Sequence, residues 1–160
     1  MYPRLLHASS FVHLPDDTTE VLAALLNDGT HAKTKHQLLK PETVDEMFKN
    51  QIPQFPDFAR QGLTAAKPEY ANPAPEMFPQ EGNPPQGWGL SFFQTIEPTG
   101  TGRGKNTCWW AGIANLFYWV DREKGVAGMI ASQVLPFGDL NVLGAWFMSE
   151  KAVYDGISAK

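Results

Sequence analysis

Apolar residues recur at helical spacing at both ends of the chain and at strand-like spacing between. In residues 16–27, Val21, Leu22, Leu25 and Leu26 sit at i, i+1, i+4 and i+5, the single stripe of a helix that buries one face. Asp16 or Asp17 is placed to cap its start and Gly29 to stop it. A second helix is predicted from Pro41, a good first helical residue because its missing N–H would have no partner there. Val44, Met47 and Phe48 form its buried face, and it fades near Gln51. Residues 30–37 between them are polar and basic, as suits a surface loop. Near the C-terminus Val142, Trp146, Val153 and Ile157 recur at spacings of 4, 7 and 4, with Leu143, Phe147 and Tyr154 beside them. Asp139 or Asn141 caps that last helix.

The middle reads differently. Residues 53–85 carry eight of the 13 prolines, which remove backbone donors and rule out a long helix or a central strand. With Phe55, Phe58, Tyr70, Met77 and Phe78 as anchors, this stretch is expected to be an irregular segment laid on the body. Gly87-Trp88-Gly89-Leu90-Ser91-Phe92-Phe93-Gln94 reads as a strand, and residues 113–120 are apolar and β-favouring. Asp121-Arg122-Glu123-Lys124-Gly125 is a hairpin turn, after which residues 126–134 return antiparallel. The sum is an α+β fold, an antiparallel sheet of about three strands with flanking helices. It is divided as a helical segment 1–52, a Pro-rich irregular segment 53–86, and strands plus a C-terminal helix 87–160, all within one domain.

Composition narrows the function classes. At 160 residues and 42% hydrophobic, the chain has material for one core. A net charge of −4 without a basic patch argues against nucleic acid as a partner. The single cysteine, Cys108, excludes an intrachain disulfide and Cys-rich zinc sites. No apolar run approaches the ~20 residues that span a bilayer, and the first residues lack the apolar core of a secretory signal, so no membrane partner is expected. Localisation stays unassigned, with the cytoplasm as default.

The run Gly100-Thr101-Gly102-Arg103-Gly104-Lys105 fails as a phosphate loop, because Thr99 stands where the first glycine belongs and Asn106 where the hydroxyl belongs. A flexible hinge is expected there. His7, His13, His31 and His36, spaced 6, 18 and 5 apart, do not make a metal set, and no metal or cofactor is expected. Trp109, Trp110, Phe117, Tyr118 and Trp119 fit either a strand pair buried on both faces or a ligand wall that Gly112 leaves open to a substrate. Ser-x-x-Lys, where a lysine amine one helical turn on takes the serine proton, is absent: Ser9, Ser10, Ser91, Ser132 and Ser149 are followed three residues later by Val12, His13, Gln94, Leu135 and Ala152. Gly-x-Ser-x-Gly is absent too, so no catalytic residue is assigned. Tyr70-Ala71-Asn72 matches a short Tyr-x-Asn pattern, but amid prolines.

Taken in order, some of these residues resemble a family. Residues 22–29 (Leu-Ala-Ala-Leu-Leu-Asn-Asp-Gly), residues 38–47, Gly87-Trp88-Gly89-Leu90, and Trp110-Ala111-Gly112 leading into the 121–125 hairpin are similar to the C-terminal half of the β-lactamase-related serine hydrolases. That superfamily holds class C β-lactamases, penicillin-binding proteins, esterases and fungal acyltransferases of the statin side-chain type. The Pro-rich insert and the Trp-Ala-Gly triad look most like its fungal members. The resemblance implies a partial β-lactamase-like fold and acyl transfer, in which a serine attacks an ester or amide and two backbone N–H groups stabilise the oxyanion. It also implies that Trp110, Ala111 and Gly112 occupy the Lys-Thr-Gly triad position, with Ile113 offering the N–H. Trp110 in place of the lysine points to small-molecule esters or acyl thioesters rather than penicillin carboxylates. The family's Ser-x-x-Lys and tyrosine motifs lie upstream of the matched region, so the chain is expected to be under half of such an enzyme, inactive alone. Self-association through the surface left bare is then expected. A self-standing pseudoenzyme or module binding a hydrophobic ligand or partner is the competing expectation.

Overall fold

Backbone alternation in the second half builds a sheet wider than its local sequence announces. The computed structural model describes residues 4–8, 14–58, 65–73 and 82–159, with backbone alone for 4–8 and 14–17. Met77, Phe78 and His13 lie outside the described residues. The strands are β1 (Arg4–Ala8), β2 (Gln86–Trp88), β3 (Phe93–Thr95), β4 (Thr107–Gly112), β5 (Leu116–Asp121) and β6 (Val126–Ile130). They form one six-stranded sheet in the order β1-β6-β5-β4-β3-β2. From β2 to β6 every pairing is antiparallel, while β1 joins β6 in parallel from Arg4↔Val126 to Ala8↔Ile130.

The α+β class holds, but three strands become six. Ser91 takes φ +74° and splits the 87–94 run, with the Gly89 N–H donating to the Phe92 carbonyl at 2.9 Å. Asn115 takes φ +54° in the turn of residues 113–115 that separates β4 from β5, so the strand expected over 113–120 begins only at Leu116. β1 pairs with residues more than a hundred positions further along, so nothing local marks it.

Helices cover both faces. On one lies α3 (Leu140–Ser158), where Leu143, Trp146 and Tyr154 pack with Phe93, Trp109, Phe117, Trp119, Val126 and Ile130. On the other, α1 (Leu14–Leu26) sets Leu22 against Val120, Ala127 and Met129. Leu25 joins Val44 of α2 (Pro41–Met47), Phe92 and Cys108. Each large side chain so buried contributes roughly 1.5–3 kcal/mol. Val21, expected in the α1 stripe, is 51% exposed; Ala23 and Ala24 are buried instead and bring the helix backbone close to the sheet. Of the face expected on α2, only Val44 is fully buried. Asp139 caps α3, its carboxylate accepting from the Asn141 and Val142 N–H groups at 3.0 Å each. In β6, Gly128 faces the indole of Trp119, its cross-strand partner, so closely that a Cβ would lie 2.3 Å from the ring.

A carboxylate sits in the middle of the α3 stripe. Glu150 is 1% exposed and grips Arg103 with a two-point pair, Nε–Oε1 at 2.8 Å and Nη2–Oε2 at 2.6 Å. The guanidinium lies 5.2 Å from the ring centroids of both Trp109 and Trp146. Thr101 donates a further short hydrogen bond to Glu150. Next to this pair Asp121 accepts from the Tyr154 hydroxyl at 2.9 Å and from the Gly104 N–H at 2.7 Å. The run 100–104 is therefore an anchored loop, not the flexible hinge expected of it. Gly102, at φ +109°, lies against Tyr154, where a Cβ would fall 2.6 Å from that residue's own.

Candidate functional site

β4 carries the candidate residues to one end of the sheet. Its ladder with β3 runs from Thr95↔Thr107 to Phe93↔Trp109 and goes no further, whereas its ladder with β5 continues to Ala111↔Phe117 and Gly112↔Leu116. Ala111 and Gly112 thus run on past the last β3 rung. Ala111 is half-buried, Gly112 is exposed, and Ile113 is 65% exposed in the β4–β5 turn. A Cβ built on Gly112 would meet nothing within 4 Å. Strand backbone facing open space is what a substrate carbonyl needs for close approach.

The aromatic stretch divides between buried and partly exposed residues. Trp109, Phe117 and Trp119 are core. Trp110 is half-buried and meets Trp88 edge-on, ring centroids 4.8 Å apart, and Trp88 meets Phe58 at 5.8 Å. Beside Phe58 opens a groove of about 670 Å³ lined by Ile52, Gln54, Phe55, Pro56, Asp57 and Phe58. This segment hugs β2: the Gln51 N–H donates to the Trp88 carbonyl and the Gln86 N–H to the Pro56 carbonyl, each at 2.8 Å.

Asn115, which the sequence reading passed over, organises the turn. It is fully buried and its side chain makes four bonds. Nδ2 donates to the Val134 and Pro136 carbonyls at 2.8 Å each, and Oδ1 accepts from the Gly138 and Asp139 N–H groups at 2.8 and 3.4 Å. An asparagine between two apolar runs was the available signal, since asparagine tolerates positive φ and bonds backbone locally.

The other candidates are elsewhere. Cys108 is fully buried, and burial, opposed by Arg122, pushes its thiol up to about 12, so it is protonated and inert near neutral pH. His31 and His36 lie in the loop after α1, where His31 Nε2 is 3.3 Å from Glu20. Tyr70 and Asn72 serve the backbone: the Phe137 N–H donates to the Tyr70 carbonyl at 2.8 Å and the Asn72 N–H to the Phe137 carbonyl at 2.7 Å. Among the described residues no group of three or more His, Cys, Asp or Glu could hold a metal ion, and no helix is long and apolar enough to cross a membrane.

Comparison with known proteins adds to this geometry. No family model matches the chain. It is 31% identical over 133 residues to acyltransferase CalJ of Penicillium decumbens, covering 81% of this chain and 29% of that protein. To lovastatin esterase of Penicillium rubens it is 32% identical over 130 residues, covering 78% and 29%. The unliganded simvastatin synthase LovD of Aspergillus terreus superposes with a TM-score of 0.66 at 25% identity, over 88% of this chain and 34% of that one. The chain is related to the β-lactamase-like acyltransferases and esterases. It spans about a third or less of their length. Its three layers are accordingly a partial β-lactamase-like fold.

Proposed function

We propose that these 160 residues are the C-terminal part of an acyl-transferring serine enzyme, contributing one wall of its pocket while the nucleophile stands outside them. The observation that carries the reading is the end of β4, where Gly112 faces open space beside Trp110 in a chain related to acyltransferases and esterases. In the assembled site a serine adds to an ester carbonyl, the carbonyl oxygen gains negative charge, and the Ile113 N–H donates to it. The alcohol or thiol leaves, and water or an acceptor alcohol takes the acyl group from the serine. Trp110 and Trp88 give this wall an apolar, uncharged face, which favours neutral ester and acyl groups over substrates held by a carboxylate. Without Ser-x-x-Lys the chain has no nucleophile of its own, and the surface that the rest of the fold covers is left to associate with itself.

The test is direct. The purified chain should take no label from a serine-reactive fluorophosphonate and should not turn over p-nitrophenyl butyrate above background. Stoichiometric labelling, or hydrolysis that survives repurification, overturns the proposal.

A further inference from the structure

We propose that the loop of residues 131–137 is a second wall of this site, and that Val134 and Leu135 on it select an uncharged, apolar acyl chain. The inference rests on the acyl-transfer reading above and names the substrate portion that the site takes.

The loop is fastened to the turn that presents Gly112 and Ile113. Asn115 holds the carbonyls of Val134 and Pro136, and the Ser132 hydroxyl donates to the carbonyls of Ala114 and Asn115 at 3.0 and 3.1 Å. From its other side the loop is pinned by the paired backbone bonds between Phe137 and the Tyr70–Asn72 segment, and by the Phe137 ring stacked on Phe117 at 6.0 Å. A segment tied at so many points is preorganised and loses little freedom when a ligand settles on it.

The side chains on this fixed frame are the wrong kind for water. Ile113 is 65% exposed, Leu135 54% and Val134 40%, on two segments joined by Asn115. Neighbouring exposed apolar groups mark a binding surface, where scattered ones would need no explanation. Neither residues 110–116 nor residues 131–137 contain a charged side chain. Nothing there pairs with a carboxylate, so an uncharged chain is preferred over an acidic one. Continuity with the open backbone at Gly112 sets the occupant: an acyl chain whose carbonyl lies at β4 can rest its hydrocarbon on this rim.

The experiment uses the purified isotope-labelled chain, titrated with methyl hexanoate and followed through its backbone amide resonances. Gly112, Ile113, Ala114, Val134 and Leu135 should shift together and saturate. Leu135→Asp should weaken binding about tenfold and Val134→Asn several-fold, the range expected when an apolar contact is replaced by a polar one. Leu38→Asp, at a half-exposed leucine elsewhere, should leave binding unchanged. Sodium hexanoate, the same chain with a charged head, should bind at least about tenfold more weakly. All variants are checked for an unchanged melting transition. Shifts confined to residues 52–58, equal affinity in L135D and V134N, or no saturable binding at all each overturn the proposal. Fluorophosphonate labelling with binding still lost in L135D would sink the missing-nucleophile reading and leave the rim standing; no labelling with L135D binding like the parent would do the reverse.

Discussion

Glu150 shows how far a single residue can depart from its pattern. It lies on the inner line of α3, 1% exposed, and is tolerated there because Arg103, itself 5% exposed, meets it at two points. Removing one partner strands a buried charge, which costs about 3–5 kcal/mol, whereas an apolar pair of similar volume is often neutral. Glu150→Gln should therefore lower the urea midpoint sharply, and Arg103→Met with Glu150→Leu should recover most of the loss; equal midpoints for E150Q and the parent would show the pair to be idle. Cys108 gives a second residue-scale prediction, in pH. Its thiol is held at about 12 by burial, above an ordinary 9.0. Below pH 9 both folded and unfolded chains keep the proton, so stability does not change with pH on this account. Between 9 and 12 the unfolded chain ionises first, so stability falls as pH rises, by at most about 1.4 kcal/mol per pH unit. Urea midpoints from pH 8 to 11 should fall more steeply for the parent than for Cys108→Ala, and parallel slopes would refute the linkage.

At the scale of elements, close approach between neighbours decides what a substitution does. Gly128→Ala would set a methyl 2.3 Å from the Trp119 ring, forcing β5 and β6 apart or turning the indole, at a cost of about 1–3 kcal/mol. The expected result is a cooperative melt at lower temperature with altered near-ultraviolet dichroism; an unchanged spectrum would mean that the ring shifts freely. What the sequence revealed and what it hid divide along the same line. The 121–125 hairpin and α3 were readable because their signals are local: a charged turn ending in glycine, and apolar residues at helical spacing. β1 was not, since its partner lies at the far end of the chain. The glycine run read as a hinge because its anchor, Glu150, is 47 residues from Arg103. Trp110 to Ile113 could be picked out as a candidate wall from their resemblance to a known triad. The loop at Val134 and Leu135 could not, because it is joined to that wall by hydrogen bonds from Asn115 and Ser132 between segments about 20 residues apart, which no local pattern announces.

For the whole molecule, the balance between covered and bare surface sets behaviour in solution. Both sheet faces carry helices, which gives the chain the layers needed for a cooperative core. Yet the outer side of α3, beside the polar Asn141 and the Lys151–Asp155 ion pair, also exposes two large apolar side chains: Leu140 is 73% and Met148 75% exposed, eight residues apart. The relatives are about three times as long, so a fold of their kind has chain available to cover such a face. Left without it, two copies can bury Leu140 and Met148 against each other through the same patch on each. The elution volume of the purified chain should therefore depend on concentration, with dimer at tens of micromolar and monomer on dilution. Leu140→Lys with Met148→Lys should keep it monomeric across that range while leaving the melting temperature within a few degrees, because neither side chain contributes to the core. A parent chain that stays monomeric at high concentration would show that the face tolerates water. A double variant that still dimerises would move the contact elsewhere, to the apolar rim at Ile113 and Leu135 or the groove beside Phe55, and competition with methyl hexanoate separates those two.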